Sequence, residues 1–145
     1  MIKTFERSGI RFQYPASWTV DAVDDQNDQG GWAVTIQSPE TAFMLVALHP
    51  DAESLIELAD STLEVMKSEY KELDAENAIE TLAGRVAIGH NIDFLTLDAT
   101  IFCWTRCLDT PAGPLLLLCQ TSEYERERHE PVLRAMGVSL QIEDE

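Results

Sequence analysis

Basic residues are scarce in this sequence. Lysine and arginine together number 10, against 26 aspartate and glutamate residues, so the formal net charge is −16. A protein of that charge repels phosphate backbones and anionic lipid headgroups. The composition therefore disfavours nucleic acid and charged membrane surfaces as partners. An acidic surface that keeps the protein in solution explains the charge, and a basic protein partner is the alternative that stays open.

Long apolar runs are also lacking. No stretch of eighteen apolar residues occurs, and Met1–Arg7 lacks the apolar core of a signal peptide. We therefore expect a cytoplasmic protein with no membrane insertion. Cysteine is rare, at three residues. In a reducing compartment we expect Cys103, Cys107 and Cys119 to be free thiols, and an odd number cannot all pair within the chain.

Motifs for catalysis and cofactor binding are missing as well. The sequence has no Gly-x-Ser-x-Gly elbow, phosphate-binding glycine loop or dinucleotide fingerprint. The polar loop 24–31 has an EF-hand-like spacing, but Ile36 stands where calcium needs a bidentate glutamate. The histidines His49, His90 and His129 lack the local spacing of a metal pair. We therefore predict no catalytic residue, cofactor or metal.

The sequence does contain enough apolar residues to form one hydrophobic core. It has 145 residues, of which 45% are hydrophobic, and no repeat or linker divides it, which predicts a single domain over residues 1–145. Alternation of apolar and polar side chains predicts strands at 5–14, 18–23, 32–37 and 41–48. Pro15 should end the first of these at Tyr14, because proline has no N–H for a sheet ladder.

A long amphipathic helix is predicted next, from Asp51 or Ser54 to Tyr70. Ser54 and Glu57 have the spacing of a capping box at its start. Its apolar stripe recurs at spacings of three and four residues and should pack on the sheet. The stripe includes Leu58, Leu63 and Met66.

The second half of the chain returns to an alternating pattern. Strands are predicted at 78–82, 85–97, 99–108 and 114–122, with a bulge or bend in the second of them at 89–91. Ser122 and Glu125 have a second capping-box spacing and should open a helix. Pro131 should kink that helix or restart it. A last short strand is predicted at 138–142.

This order of elements resembles the PsbP-like α/β/α superfamily. The resemblance rests on Tyr14-Pro15-x-x-Trp18, on Leu82-x-Gly84, and on Val132-Leu133-x-x-Met136-x-Val138-x-Leu140. The superfamily includes the photosystem II extrinsic protein, the yeast Ran-binding import factor and bacterial domains of unknown function, some of them chaperones for type VI secretion effectors. The resemblance implies an α+β fold, with a mostly antiparallel sheet of six to seven strands and helices on both faces. It implies no catalytic residues.

The cysteines are interpreted as small buried hydrophobic residues. Cys103 and Cys107 would lie about 13 Å apart along a strand, too far to share a zinc ion. Both should face the same side of the sheet. If Leu108 pairs with Pro114, Cys103 lies opposite Cys119 and Cys107 opposite Leu115.

The tryptophans decide between two classes of function. Trp18, Trp32 and Trp104 can all serve as core anchors. If Trp32 or Trp104 is exposed on the sheet, it would form an apolar anchor inside an acidic rim, which is typical of a protein-binding patch. We therefore expect a non-catalytic adaptor that binds a protein or a second copy, such as a chaperone for a secretion effector. The alternative is a small-ligand protein or enzyme with a site built from dispersed residues.

Overall fold

The computed structural model describes residues 1–24 and 30–144. The loop 24–31, whose EF-hand-like spacing we rejected as a calcium site, lies mostly outside these residues. In chain order the elements are β1 (Ile2–Arg7), β2 (Ile10–Pro15), β3 (Thr19–Asp24), β4 (Trp32–Gln37), β5 (Phe43–Leu48), α1 (Leu55–Glu69), β6 (Leu73–Leu82), β7 (Arg85–Leu95), β8 (Thr100–Thr110), β9 (Gly113–Ser122), α2 (Arg126–Val138) and β10 (Gln141–Ile142). None of the helices described is long and apolar enough to cross a membrane.

An antiparallel sheet of seven strands forms the centre of the fold, in the order β3-β4-β5-β9-β8-β7-β6. Successive residues of a strand point to opposite faces, and β9 shows where the helices lie. Leu116 packs with Leu58 of α1, whereas Leu115 and Leu117 belong to the cluster that contains Leu133 of α2. The two helices therefore cover opposite faces. The predicted α+β class and the helices on both faces are confirmed.

A second, three-stranded sheet has the order β1-β2-β10. β1 and β2 form a hairpin that turns at Ser8 and Gly9, both with positive φ, at 55° and 76°. Glycine adopts this backbone region without the steric cost that a Cβ brings. β2 extends through Pro15, one residue beyond the predicted end. The sequence pattern did not separate these strands from the central sheet.

Helix α1 confirms Ser54 as its predicted N-cap, although the Glu57 carboxylate accepts the Glu53 N–H at 3.4 Å in place of the Ser54 N–H that a capping box would use. The Glu57 N–H donates a hydrogen bond to Ser54 Oγ at 3.1 Å, which satisfies one of the free donors at the helix start. The predicted stripe is buried, with Leu58, Leu63 and Met66 all packed inward.

Helix α2 corrects three predictions. Glu125 is the N-cap residue but makes no side-chain cap, because its carboxylate binds the β4–β5 turn instead. The helix continues through Pro131, so the predicted restart is wrong. The last helical residue is Val138, and the terminal strand is limited to Gln141–Ile142.

The register between β8 and β9 is shifted by one residue from the prediction. Thr110 pairs with Gly113 across a two-residue turn, so Leu108 lies opposite Leu115 and Cys103 opposite Gln120. A shift of one residue moves every side chain to the other face. Cys119 therefore lies on the α2 face and Cys103 on the α1 face, and the predicted Cys103–Cys119 neighbour pair is wrong.

Strands β6 and β7 also differ from the prediction. β6 begins at Leu73, five residues earlier than expected. β7 pairs with both neighbours in unbroken register, so the predicted bulge at 89–91 is wrong. Glycine is needed at position 89 to avoid a steric clash and not to form a bulge. A Cβ built there would lie 1.9 Å from the carbonyl oxygen of Thr105.

Candidate functional site

An open groove lies between the first half of α1 and the outer strands β6 and β7. Its volume is about 460 Å³. It is lined by Ile56, Ala59, Asp60, Asn77, Ala78, Ile79, Ile88, Gly89 and His90. Two of these aliphatic side chains are largely in solvent, with Ile56 65% and Ile79 72% exposed. Exposed aliphatic side chains that line one groove form an apolar patch, which makes the groove a candidate interaction surface.

The position of α1 creates this groove. Its buried stripe packs over β7, β8 and β9. Leu63 and Met66 contact the cluster around Phe94, and Leu58 contacts the cluster around Leu116. β6 lies beyond this footprint, and most of its side chains are exposed. The sheet therefore extends past the helix, and the step between them forms the groove.

β6 is an edge strand of ten residues. No strand in the described part of the chain pairs with its outer side. An unpaired edge presents a row of backbone N–H and C=O groups that can bind another strand. Ile79 lies on the α1 face of this edge. The residues of even number lie on the α2 face, where Asp74, Glu76 and Glu80 are found.

His90 lies in the groove and is only 7% exposed. Its backbone N–H donates to Thr105 Oγ1 at 3.1 Å. Its ring Nδ1 is buried and has no hydrogen-bond partner among the residues described. Buried polar atoms are nearly always hydrogen-bonded, because an unmet one costs free energy. His90 therefore gives the groove one unmet polar group.

A buried arginine supports the other face of this edge. Arg106 on β8 is 5% exposed and donates to Asn91 Oδ1 at 2.8 Å and to the Thr105 carbonyl at 2.7 Å. Its guanidinium also pairs with Glu80 on β6. These bonds hold β6 to β8 across β7.

The two acids nearer the start of β6, Asp74 and Glu76, differ from Glu80 in their lack of an ion-pair partner among the residues that the structure describes. Asp74 lies directly opposite Asp93 of β7, and both are exposed. Like charges directly opposite each other destabilise a strand pair. This end of the edge therefore places Asp74, Glu76 and Asp93 close together, with Arg126 and Arg134 of α2 lining the same cleft.

A cleft of about 390 Å³ separates these acids from α2, and Trp104 is part of its lining. The Arg134 guanidinium stacks 4.2 Å from the centre of the Trp104 ring, and Arg126 lies 3.9 Å from that of Phe102. Glu130 lies between the two arginines and pairs with Arg126 at 2.7 Å. The helix thus covers both aromatic rings with cations, which cation–π attraction favours.

Neither tryptophan proposed as an anchor is exposed. Trp104 is 8% and Trp32 3% exposed, and both belong to the main core. Trp32 Nε1 donates to Ser8 Oγ at 3.1 Å, and its ring contacts Phe5 at 5.6 Å. Both therefore serve as core anchors, covered by the β1–β2 hairpin and α2, and the alternative in which one of them is exposed on the sheet is wrong. A contribution of either residue to protein binding stays a prediction.

Three solved structures share this arrangement along almost the whole chain. Cyanobacterial PsbP (CyanoP) from Synechocystis sp. PCC 6803 is 17% identical, with a TM-score of 0.62 over 98% of this chain and 92% of that one. A protein of unknown function from Pseudomonas aeruginosa, PA94, is 9% identical, with a TM-score of 0.59 over 99% of both chains. LpqN, involved in cell envelope biogenesis of Mycobacterium tuberculosis, is 11% identical, with a TM-score of 0.52 over 99% of this chain and 91% of that one.

The chain has a PsbP-like fold. No protein-family model and no curated protein matches the sequence. At identities this low, structural likeness establishes the fold and leaves function to be argued from the site.

The three thiols of this PsbP-like chain are buried and free. Burial raises the pKa of Cys103 to about 12 and that of Cys107 to about 12. It also raises the pKa of Cys119. Because the thiolate is the reactive form, none of these groups is set up as a nucleophile at neutral pH. Cys103 and Cys107 share the α1 face, as predicted.

The histidines lie in three different places. His49 follows β5, where its backbone N–H donates to the Pro114 carbonyl at 2.8 Å. His90 lies in the groove. His129 lies on α2, and its Nε2 is 2.7 Å from Glu40 Oε1. One ligand atom each from Glu40, Glu125 and His129 lies within 4.8 Å of the others, a grouping that local sequence spacing did not reveal because Glu40 is so distant in the chain.

Hydrogen bonds already occupy the two carboxylates of that grouping. Glu40 binds the Arg128 guanidinium at 2.7 Å, and this contact, with the one to His129, lowers the pKa of the Glu40 carboxyl. Glu125 accepts the Ala42 N–H at 2.9 Å. We name Glu40, Glu125, Arg128 and His129 the latch, because together they tie the β4–β5 turn to α2. Its bonds are those of a structural contact.

The groove itself was missed by sequence reasoning. Its two exposed aliphatic residues, Ile56 and Ile79, stand in separate elements, and each is an ordinary isolated surface residue in the sequence. One pattern could have pointed to it. The residues two positions before and after Ile79, which share its face of the strand, are the polar Asn77 and Thr81, so that face lacks the apolar run of a buried one.

Proposed function

We propose that this chain is a non-catalytic protein-binding module that holds its partner at the groove between α1 and β6. The observation that carries the proposal is the joint exposure of Ile56 and Ile79 beside an unpaired sheet edge. Burying such aliphatic surface contributes about 25 cal/mol per Å². A partner that covers both side chains and the edge would gain apolar burial and backbone hydrogen bonds together.

The chemistry of the remaining groups supports binding over catalysis. A site for nucleophilic or acid–base chemistry needs a reactive group beside a base or carboxylate in a cleft. The thiols lie in apolar surroundings with raised pKa values. The latch residues are committed to hydrogen bonds with each other and with the backbone. Among the described residues, the small-ligand or enzyme alternative keeps only the unpartnered Nδ1 of His90 in the groove and the Glu40–Glu125–His129 grouping, whose carboxylates are already hydrogen-bonded.

Several narrower forms of this function stay predictions. They are an adaptor, a chaperone for a secretion effector, and a module that binds a second copy, each in the cytoplasm. The net charge of −16 favours a partner that is basic or apolar over nucleic acid. Trp104 lines the cleft beside Asp74 and Glu76, so it could contribute to a contact that reaches around the edge of β6. Trp32 has no such position.

Replacement of Ile56 by aspartate tests the proposal. Tagged protein would be used to capture partners from the source organism, and bound proteins would be quantified against bait. The matched control is Val65→Asp, since Val65 is 59% exposed on the same helix but nine residues away, about half a turn around the axis. We expect a stoichiometric protein partner to be retained by wild type and Val65→Asp and lost by Ile56→Asp. Circular dichroism should show both variants folded.

Two results would contradict the proposal. One is a partner that Ile56→Asp retains as well as wild type does. The other is the absence of any stoichiometric protein together with a metabolite that copurifies and is released on denaturation, which would establish the ligand-binding alternative.

A further inference from the structure

We propose that the partner binds as an extended strand added to the outer edge of β6. The partner's basic side chains would lie against the acidic face of β6, and its aliphatic side chains would enter the groove. This inference rests on the proposed function and specifies the partner's chemistry. It follows from the edge, the two faces of β6 and the distribution of charge.

The edge is long enough to specify a strand. β6 has ten residues, about 33 Å at the rise of an extended chain. Its outer backbone groups have no strand partner in the described parts of the chain. Among the edges of the two sheets it is the longest, since β1 and β3 have six residues each. An extended peptide that joins such an edge obtains affinity from backbone hydrogen bonds and specificity from alternate side chains.

The two faces of the edge differ in chemistry. On the α1 face, Ile79 borders the groove, together with Ile56 and Ile88. On the α2 face lie Asp74, Glu76 and Glu80. Side chains of an added strand would alternate between the same two faces. The partner that fits alternates aliphatic residues, directed at the groove, with basic residues, directed at the acids.

Charge separates this partner from a second copy of the chain. Asp74 and Glu76 lack ion pairs among the described residues, and Asp74 faces Asp93 across the β6–β7 ladder. A lysine or arginine on the next strand outward would relieve that repulsion. Antiparallel pairing of two β6 strands would instead place the acids of one copy beside those of the other, which is destabilising.

The floor of the groove adds a polar contact. The buried Nδ1 of His90 has no partner in the part of the chain described, and His90 lies opposite Asn77 of β6. A partner side chain that enters the groove with a hydroxyl or amide could satisfy this nitrogen. A threonine of the added strand would supply such a hydroxyl, whereas a valine would supply apolar contact alone.

A synthetic peptide tests the proposal directly. The probe is a fluorescein-labelled seven-residue peptide in which lysine and valine alternate, and its control has glutamate in place of each lysine. Binding to the full chain is followed by fluorescence anisotropy at low and high salt. We expect the lysine peptide to bind, the glutamate peptide not to bind, and affinity to fall as salt rises.

Two pairs of variants locate the contact. Asp74→Asn/Glu76→Gln should weaken lysine-peptide binding about three- to tenfold and reduce its salt dependence. Its control, Asp21→Asn/Glu6→Gln, changes exposed acids on the other edge strands, β3 and β1, and should bind as wild type does. Ile79→Asp should weaken binding at least about tenfold. Val23→Asp, at an exposed valine of β3, should not.

Hydrogen exchange decides whether the peptide joins the edge. We expect slower exchange of amides in Leu73–Leu82 on peptide binding and no change in β3. No binding, equal binding by the acid variants, or protection confined to another segment would overturn the inference. If the β6 amides are protected without peptide because two copies of the chain associate, the inference would be overturned in favour of a homodimer. A failure of the peptide experiment would leave the result of the Ile56→Asp capture experiment unchanged. The proposed function is therefore tested separately from this inference.

Discussion

Replacement of Leu63 by alanine measures how much α1 contributes to the fold. Leu63 is 8% exposed and packs with Met66, Ile92, Phe94 and Cys103 between the helix and the sheet. The substitution removes three buried carbons and leaves a cavity, because close-packed neighbours relax only partly. Helix propensity opposes the loss only slightly, since alanine and leucine are both strong helix formers.

The expected loss is about 2–5 kcal/mol in the free energy of unfolding. That is a large share of the roughly 5–15 kcal/mol that stabilises a typical domain. For a chain of this length, a loss of about 3 kcal/mol lowers Tm by roughly 6–12 °C. Urea denaturation followed by tryptophan fluorescence and circular dichroism measures the loss, and the slope of the transition should stay unchanged.

The control is Val65→Ala on the solvent side of the same helix, where Val65 is 59% exposed. We expect its stability to remain within about 0.5 kcal/mol of wild type. A loss below about 1 kcal/mol for Leu63→Ala, with an unchanged slope, would show that the helix stripe is not closely packed on the sheet. The groove between α1 and β6, which depends on the position of α1, would then be misplaced.

Two other predictions concern the backbone and the latch. Gly89→Ala should destabilise by about 1–3 kcal/mol or more in the same assay, because its Cβ would overlap the Thr105 carbonyl. Gly137→Ala, at a helical glycine with open space around its Cβ position, should instead be neutral or stabilise by up to about 1 kcal/mol. Glu40→Gln tests pH dependence. Arg128 and His129 lower the folded-state pKa of Glu40 below its ordinary value of 4.5, so its contribution is present above pH 4.5 and lost as pH falls through the folded-state value. The stability difference between wild type and Glu40→Gln in urea titrations should therefore shrink below pH 4.5, and a difference that grows there would contradict the assignment.

Local patterns predicted most elements because alternation and helical spacing each report one buried face. β4 matches its predicted limits at Trp32–Gln37, and α1 begins at its predicted cap. The missed part of β6, Leu73–Asn77, is mostly exposed at a sheet edge. A strand without a buried face leaves no alternation to detect, so the feature that makes β6 a candidate binding edge also concealed it.

Errors of register and partner had a different cause. The shift that separated Cys103 from Cys119 came from the two-residue turn at Pro111-Ala112, a choice of turn that alternation does not specify. Glu125 was assigned to a capping box because its local spacing allowed it. It binds Ala42 instead, 83 residues away, and distant contacts of this kind leave no local pattern.

The burial of the native cysteines has a practical consequence for spectroscopy. Cys103, Cys107 and Cys119 are all buried, with thiols held in their unreactive form at neutral pH. A cysteine introduced on the surface would have a nearly ordinary thiol and would react with maleimide far sooner. A single dye could therefore be attached at a chosen position on the unmodified background. Distances between an edge and a bound partner could then be followed by energy transfer without removing any core residue.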